Sequence, residues 1–195
     1  MHTFIKYISA VFILFLFGCN ESSQQNQESR PVTSPKKSLF QSLSSEKTNI
    51  HFTNEIMEET EDMNCFNFFN MYNGGGVAIG DINNDGLADI YFTGNQVENK
   101  LYLNTGGITF KDITSEAQVA GKKEWTTGVT MADVNGDGWL DIYVCQSGGQ
   151  KSTDMKNLLF INNHDLTFTE SAEKYGLADA ARSNHAAFFD YDNEG

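Results

Sequence analysis

The sequence predicts an all-β fold, a partial β-propeller with about two and a half blades of four antiparallel strands. Three observations lead there. The chain repeats itself from residue 74 onward, with Gly76–Phe92 echoed 52 residues later by Gly128–Val144. Each unit carries four short runs of β-branched and aromatic residues separated by Gly, Asn and Asp. Finally, 39% hydrophobic residues, among them 15 Phe and 7 Tyr in a chain of 195, provide a core that rules out general disorder.

The first segment is an address. Lys6 gives a positive start, and Ile8–Phe17 is an apolar run too short for a membrane span of about 20 residues. The run ends in Leu16, Phe17, Gly18 and Cys19, which resembles a bacterial lipobox. That resemblance implies a signal peptide over 1–18. It also implies a lipid-modified Cys19 anchoring an exported protein to a membrane it does not span. Asn20 after the Cys favours the outer membrane or cell surface. Residues 19–48 are rich in Ser, Gln, Asn and Lys, hold both prolines and lack hydrophobic period, so they read as a disordered tether. Ser44 and Lys47 fit an S-x-x-K pattern, but with no companion motif it is coincidental. Cys65 and Cys145 are either a disulfide, which export permits, or two free thiols.

Residues 49–195 are the repeat region. Val77 and Ile79, like Val129 and Met131, alternate with small residues and begin each unit as a strand. Ile90–Thr93 and Ile142–Cys145 supply the second strand. Lys100–Asn104 and Leu158–Asn162, 58 residues apart, supply the third, and the stretches around Phe110 and Phe168 the fourth. Nine residues beyond each Phe comes an aliphatic–Ala pair, Val119–Ala120 and Leu177–Ala178. A third copy begins at Ala186 and stops at Gly195, inside its loop. About 145 residues make roughly 2.6 blades, whereas propellers close with 4–8, so the chain is expected to be the N-terminal fragment of a longer protein.

Between the first and second strands of each unit lies the pattern D-x-N-x-D-G-x-x-D. Positions 1, 3, 5 and 9 offer side-chain oxygens: Asp81, Asn83, Asp85 and Asp89 in one copy, Asp133, Asn135, Asp137 and Asp141 in the next. Position 7, Leu87 or Trp139, can offer its backbone carbonyl. Gly86 and Gly138 allow the sharp turn. Three carboxylates within nine residues repel one another unless a divalent cation sits among them. An oxygen-only donor set points to Ca2+ rather than zinc or copper. Asp190, Asp192 and Glu194 begin a third such loop. An EF-hand is rejected, because position 12 is Phe92 or Val144 where that motif needs Glu, and the flanks are strands, not helices. Asx-turns without a metal are the competing reading.

The residues Asn73–Asp81, Asn99–Asn104, Trp125–Val129 and Phe188–Asp192 resemble the FG-GAP/VCBS repeat of integrin-α-type propellers. More narrowly they resemble the ASPIC/UnbV group, bacterial lipoprotein relatives of cartilage acidic protein. The resemblance covers about residues 50 to 195. It implies a binding or adhesion module at the cell envelope, not an enzyme, whose partner is an envelope protein or glycan. The alternative is the scaffold of a larger envelope enzyme acting on polysaccharide.

Composition agrees. Asp and Glu number 26 against 13 Lys and Arg, a net charge of −13 that excludes binding nucleic acid through its phosphates and suits cations. Gly74, Gly75 and Gly76 lack a following P-loop Lys and read as a tight strand entry. Trp125 reads as packing between blades, with stacking on a sugar as the alternative. His164 reads as a solvated turn residue and His185 as a core or rim residue. Glu55, Glu58, Glu59, Glu61 and Asp62 read as an acidic, solvated surface.

Overall fold

Eight strands form two antiparallel sheets in a computed structural model that describes residues 38–58, 64–67, 71–122, 125–147 and 155–192. The first sheet contains β1 (Val77–Gly80), β2 (Asp89–Phe92), β3 (Lys100–Asn104) and β4 (Phe110–Asp112), paired in sequence order. The second contains β5 (Thr126–Ala132), β6 (Asp141–Gln146), β7 (Leu158–Asn162) and β8 (Phe168–Glu170), paired the same way. Each sheet is a four-stranded meander, so each is one propeller blade. One helical turn, α1 (Ser45–Thr48), stands inside the stretch expected to be tether, and another, α2 (Thr114–Ala117), follows β4. Among the described residues no helix is long and apolar enough to cross a membrane.

The blades stack face to face. Blade 1 contributes Ala78, Tyr91 and Leu101 to a shared core, and blade 2 contributes Val129, Ile142 and Phe160. Strand alternation explains why all six residues of β6 are buried. Ile142 and Val144 point to blade 1, while Tyr143 and Cys145 point the other way, into a second cluster with Leu159 and Ala172. Cys145 is therefore a buried free thiol, and burial raises its pKa. Cys65 is exposed and also free.

The aliphatic–Ala pairs have a structural role. The Tyr91 hydroxyl donates to the Val119 carbonyl at 2.6 Å, and the Tyr143 hydroxyl to Leu177 at 2.9 Å. The chain after each fourth strand is thus fastened back onto the second. Burial pushes the Tyr91 phenol well above its ordinary range.

Blade 1 also has a face turned away from blade 2, and residues 49–57 run along it. Phe52 stacks on Phe92 with ring centroids 5.1 Å apart, and Asn54 exchanges side-chain and backbone hydrogen bonds with Asn95. Trp125 is 4% exposed and packs with Met71 and Ile56, so it serves packing and offers no sugar platform. Residues 181–190 lie beside β5 without forming a strand. Gly128 N–H donates to Asn184, and the Thr130 hydroxyl donates to Ala186.

Candidate metal centre

Both loops lie at one end of the blades, between the first and second strands, and they are built alike. In loop 1 the Asp81 carboxylate accepts the N–H groups of Asp85 (3.1 Å) and Gly86 (2.7 Å). The Asn83 side-chain oxygen also accepts Asp85 N–H, and Asp85 accepts Leu87 N–H at 2.8 Å. In loop 2 Asp133 accepts Asp137 and Gly138 N–H, Asn135 accepts Asp137 N–H, and Asp137 accepts Trp139 N–H. These bonds wrap the backbone around the side chains of positions 1, 3 and 5. The wrap needs a left-handed residue at position 6, and Gly86 and Gly138 supply it at φ +86° and +87°.

Position 9 behaves differently from the rest. Asp89 and Asp141 are both fully buried. One oxygen of Asp89 accepts Ile82 N–H at 3.0 Å, from within the loop, and the other accepts Asn104 N–H at 2.7 Å, from the end of β3. Asp141 does the same with Val134 and Asn162, both at 2.9 Å. Position 9 therefore bolts the loop to the third strand. Asn104 and Asn162 belong to the site too, although their residue type alone gave no sign of it; only their recurrence 58 residues apart did. Asn162 also reaches across to the Ile82 carbonyl of blade 1 at 2.8 Å, and Asn84 reaches the Gly138 carbonyl at 3.2 Å. The two loops and the two blades are linked at this end.

Electrostatics sharpen the picture. Burial raises the Asp89 pKa, its two amide partners lower it, and the charges of Asp85 and Asp81 raise it further. Asp141 follows the same pattern with Asp137 and Asp133. In each loop the charges at positions 1 and 5 thus oppose ionisation at position 9, while the His164 hydrogen bond lowers the Asp137 pKa. Among the described residues, however, no three carboxylate, imidazole or thiolate side chains stand close enough together to hold one metal ion. The side chains of positions 1, 5 and 9 are turned to backbone amides. The donor chemistry fits calcium: every candidate ligand is an oxygen, and the backbone already turns at the glycine.

The remaining site residues are placed less tightly. Leu87 is 37% exposed at position 7 of loop 1. Trp139, its counterpart, is half-buried and stacks on His164, whose Nε2 lies 3.0 Å from an Asp137 oxygen. His164 is exposed in the turn after β7, as expected, and in addition makes this contact, which spans 27 residues of sequence and which no local pattern announces. Asp190 and Asp192 are exposed and belong to no closed loop among the described residues, while Glu194 and Cys19 lie outside them. His185 is exposed beside Gly128. Glu55 and Glu58 are exposed, Glu58 accepting the Tyr72 hydroxyl, and Glu59, Glu61 and Asp62 lie outside the described residues.

Comparison with known proteins agrees with this architecture. Residues 81–144 match the FG-GAP-like repeat family, a span that runs from the first residue of loop 1 into β6. The chain is similar to cartilage acidic protein 1 of Xenopus tropicalis, 34% identical over 127 residues, which is 64% of this chain and 19% of that protein. It is 30% identical to the human protein of the same name over 125 residues, 63% of this chain and 18% of that one. The chain thus spans about a fifth of the length of the curated relatives it matches.

Proposed function

We propose that this chain of FG-GAP-like repeats is a calcium-stabilised binding module, with one cation held in each of its two loops. FG-GAP-like repeats point to a binding or adhesion type of module. The observation that carries the calcium reading is the recurrence of the whole loop. The five fixed residues and their backbone-capping bonds appear twice, 52 residues apart, and in each copy the charges at positions 1 and 5 help raise the pKa of the buried carboxylate at position 9. Asx-turns explain the capping bonds and the amide bolt explains position 9, and the repulsion among three carboxylates so close together is what a cation would offset. In this reading Asp81, Asn83, Asp85 and the Leu87 carbonyl would hold one ion, and Asp133, Asn135, Asp137 and the Trp139 carbonyl the other. A bound cation would offset the acidic charge and tie neighbouring strands; the role is structural. Asp89 and Asp141 would keep their amide partners and act through charge or one shared oxygen.

The module is exported and held to the membrane through lipid on Cys19, facing an envelope protein or glycan. No group described above is arranged for catalysis. The alternative, a scaffold within a larger polysaccharide-acting enzyme, places its chemistry outside these repeats.

Thermal melts test the calcium reading. A ligand at a hundredfold excess over its Kd stabilises by about 2.7 kcal/mol per site. Two sites should therefore raise the melting midpoint by about 10 °C or more in calcium relative to a chelator. A variant with both D81A and D133A should show no such rise. An equal midpoint for the wild type in calcium and in chelator would contradict the reading.

A further inference from the structure

The two loops share a motif but differ in one neighbour. His164 stands in the turn after β7, where blade 1 has Gly106. Both residues hold the left-handed backbone, at φ +66° and +91°. Both donate their N–H to the side chain of the preceding asparagine, Asn162 or Asn104, at 2.9 Å. Glycine takes that conformation freely and histidine takes it at a cost. The imidazole is fixed on two sides. It stacks on Trp139, with centroids 4.7 Å apart and planes 16° from parallel, and its Nε2 is 3.0 Å from Asp137 Oδ2. The Asp137 carboxylate consequently has three partners: Trp139 N–H, the Asn135 amide at 2.7 Å, and the imidazole. Its counterpart Asp85 has two among the described residues, Leu87 N–H and the Asn83 amide at 2.9 Å.

We propose that the two loops are a graded pair, in which loop 1 is the tighter calcium site and His164 weakens loop 2 by occupying Asp137. The inference rests on the reading of both loops as cation sites. Position 5 is a ligand in each. A cation entering loop 1 must draw Asp85 away from the Asn83 amide. In loop 2 it must draw Asp137 away from the corresponding amide and from an imidazole that Trp139 holds in place. One such hydrogen bond between exposed side chains corresponds to about threefold in affinity. The contact to Asp137 needs the proton on Nε2, which a neutral imidazole carries in one of its two tautomers.

Isothermal titration of the full chain with calcium chloride at pH 8 tests this. The wild type should show two sites about threefold apart. D81A should remove the tighter and D133A the weaker. H164G gives loop 2 the residue that loop 1 has and keeps the backbone conformation, so it should bring the second affinity up to the first. H164N, which also tolerates the left-handed backbone, should act in the same direction and covers the case in which glycine loosens the turn. Circular dichroism confirms that each variant is folded. Equal affinities in the wild type, or a loop 2 affinity that H164G and H164N leave unchanged or lower, would overturn the grading and leave the cation reading standing. A wild type that binds no calcium would overturn both.

Discussion

Replacing Asp141 with alanine is expected to destabilise the chain by about 3–4 kcal/mol in the presence of a chelator, close to 10 °C in melting midpoint. The cause does not involve a metal. Asp141 is fully buried, and its two oxygens accept the N–H groups of Val134 and Asn162. Alanine leaves both donors without a partner, at about 1–3 kcal/mol each. It also detaches the loop from β7, whose end carries the Asn162 contact to blade 1. The effect has a defined pH dependence. Burial raises the Asp141 pKa above its ordinary 3.8, and the charges of Asp137 and Asp133 raise it further. The folded chain therefore takes up this proton at a higher pH than the unfolded chain. The contribution is fullest below 3.8 and declines as pH rises through the raised folded value. Chemical denaturation of wild type and D141A across that range should show the gap between them narrowing toward neutral pH without closing. D89A should behave alike in blade 1.

Gly76→Ala is expected to cost about 3 kcal/mol, by forcing the blades apart at their inner strands. A Cβ on Gly76 would lie 2.7 Å from the Thr127 carbonyl oxygen, 3.0 Å from Gly128 Cα and 3.1 Å from Val129 N. All three atoms are backbone of β5, so no side chain can swing aside. Gly128→Ala makes a tighter nominal clash, 2.5 Å from the Asn184 carbonyl oxygen. Its neighbour is an exposed segment outside any sheet, free to yield, and the expected cost is smaller. Denaturation midpoints in that order, G76A below G128A below wild type, would establish the seam between blades 1 and 2 as the rigid one. A G76A midpoint equal to that of the wild type would contradict the close approach.

These two residues show how far the sequence could be read. The strands were legible because alternation and repetition coincide: Val77, Ile90, Lys100 and Phe110 each begin or lie within a strand where the pattern places it. Gly74, Gly75 and Gly76 read as a tight strand entry, and β1 begins directly after them at Val77. What they approach, the backbone of the next blade, is a property of stacking that no local pattern carries. Loop positions 1, 3 and 5 and the position 6 glycine stood out because they act within nine residues. Position 9 was recognised as a carboxylate, but its amide partners at Asn104 and Asn162 depend on the register of β3 and β7. His164 was out of reach for the same reason, since the turn after β7 meets loop 2 only once blade 2 has folded. Residues 49–57 were placed inside the folded region from composition. That they would cover the open face of blade 1, with Phe52 on Phe92, follows from having a half-exposed sheet to cover. The third repeat read as the start of a blade. Among the described residues it lies beside β5 outside any strand, held at Asn184 and Ala186.

The central claim is that the paired loops are cation sites, and anomalous diffraction from crystals of the full chain grown in calcium tests it most directly. The account predicts one calcium peak in each loop. The first should be surrounded by oxygens of Asp81, Asn83 and Asp85 and the Leu87 carbonyl, the second by Asp133, Asn135 and Asp137 and the Trp139 carbonyl. Crystals grown in calcium with no peak in either loop, and the carboxylates still turned to the backbone amides, would contradict it and leave both loops as Asx-capped turns.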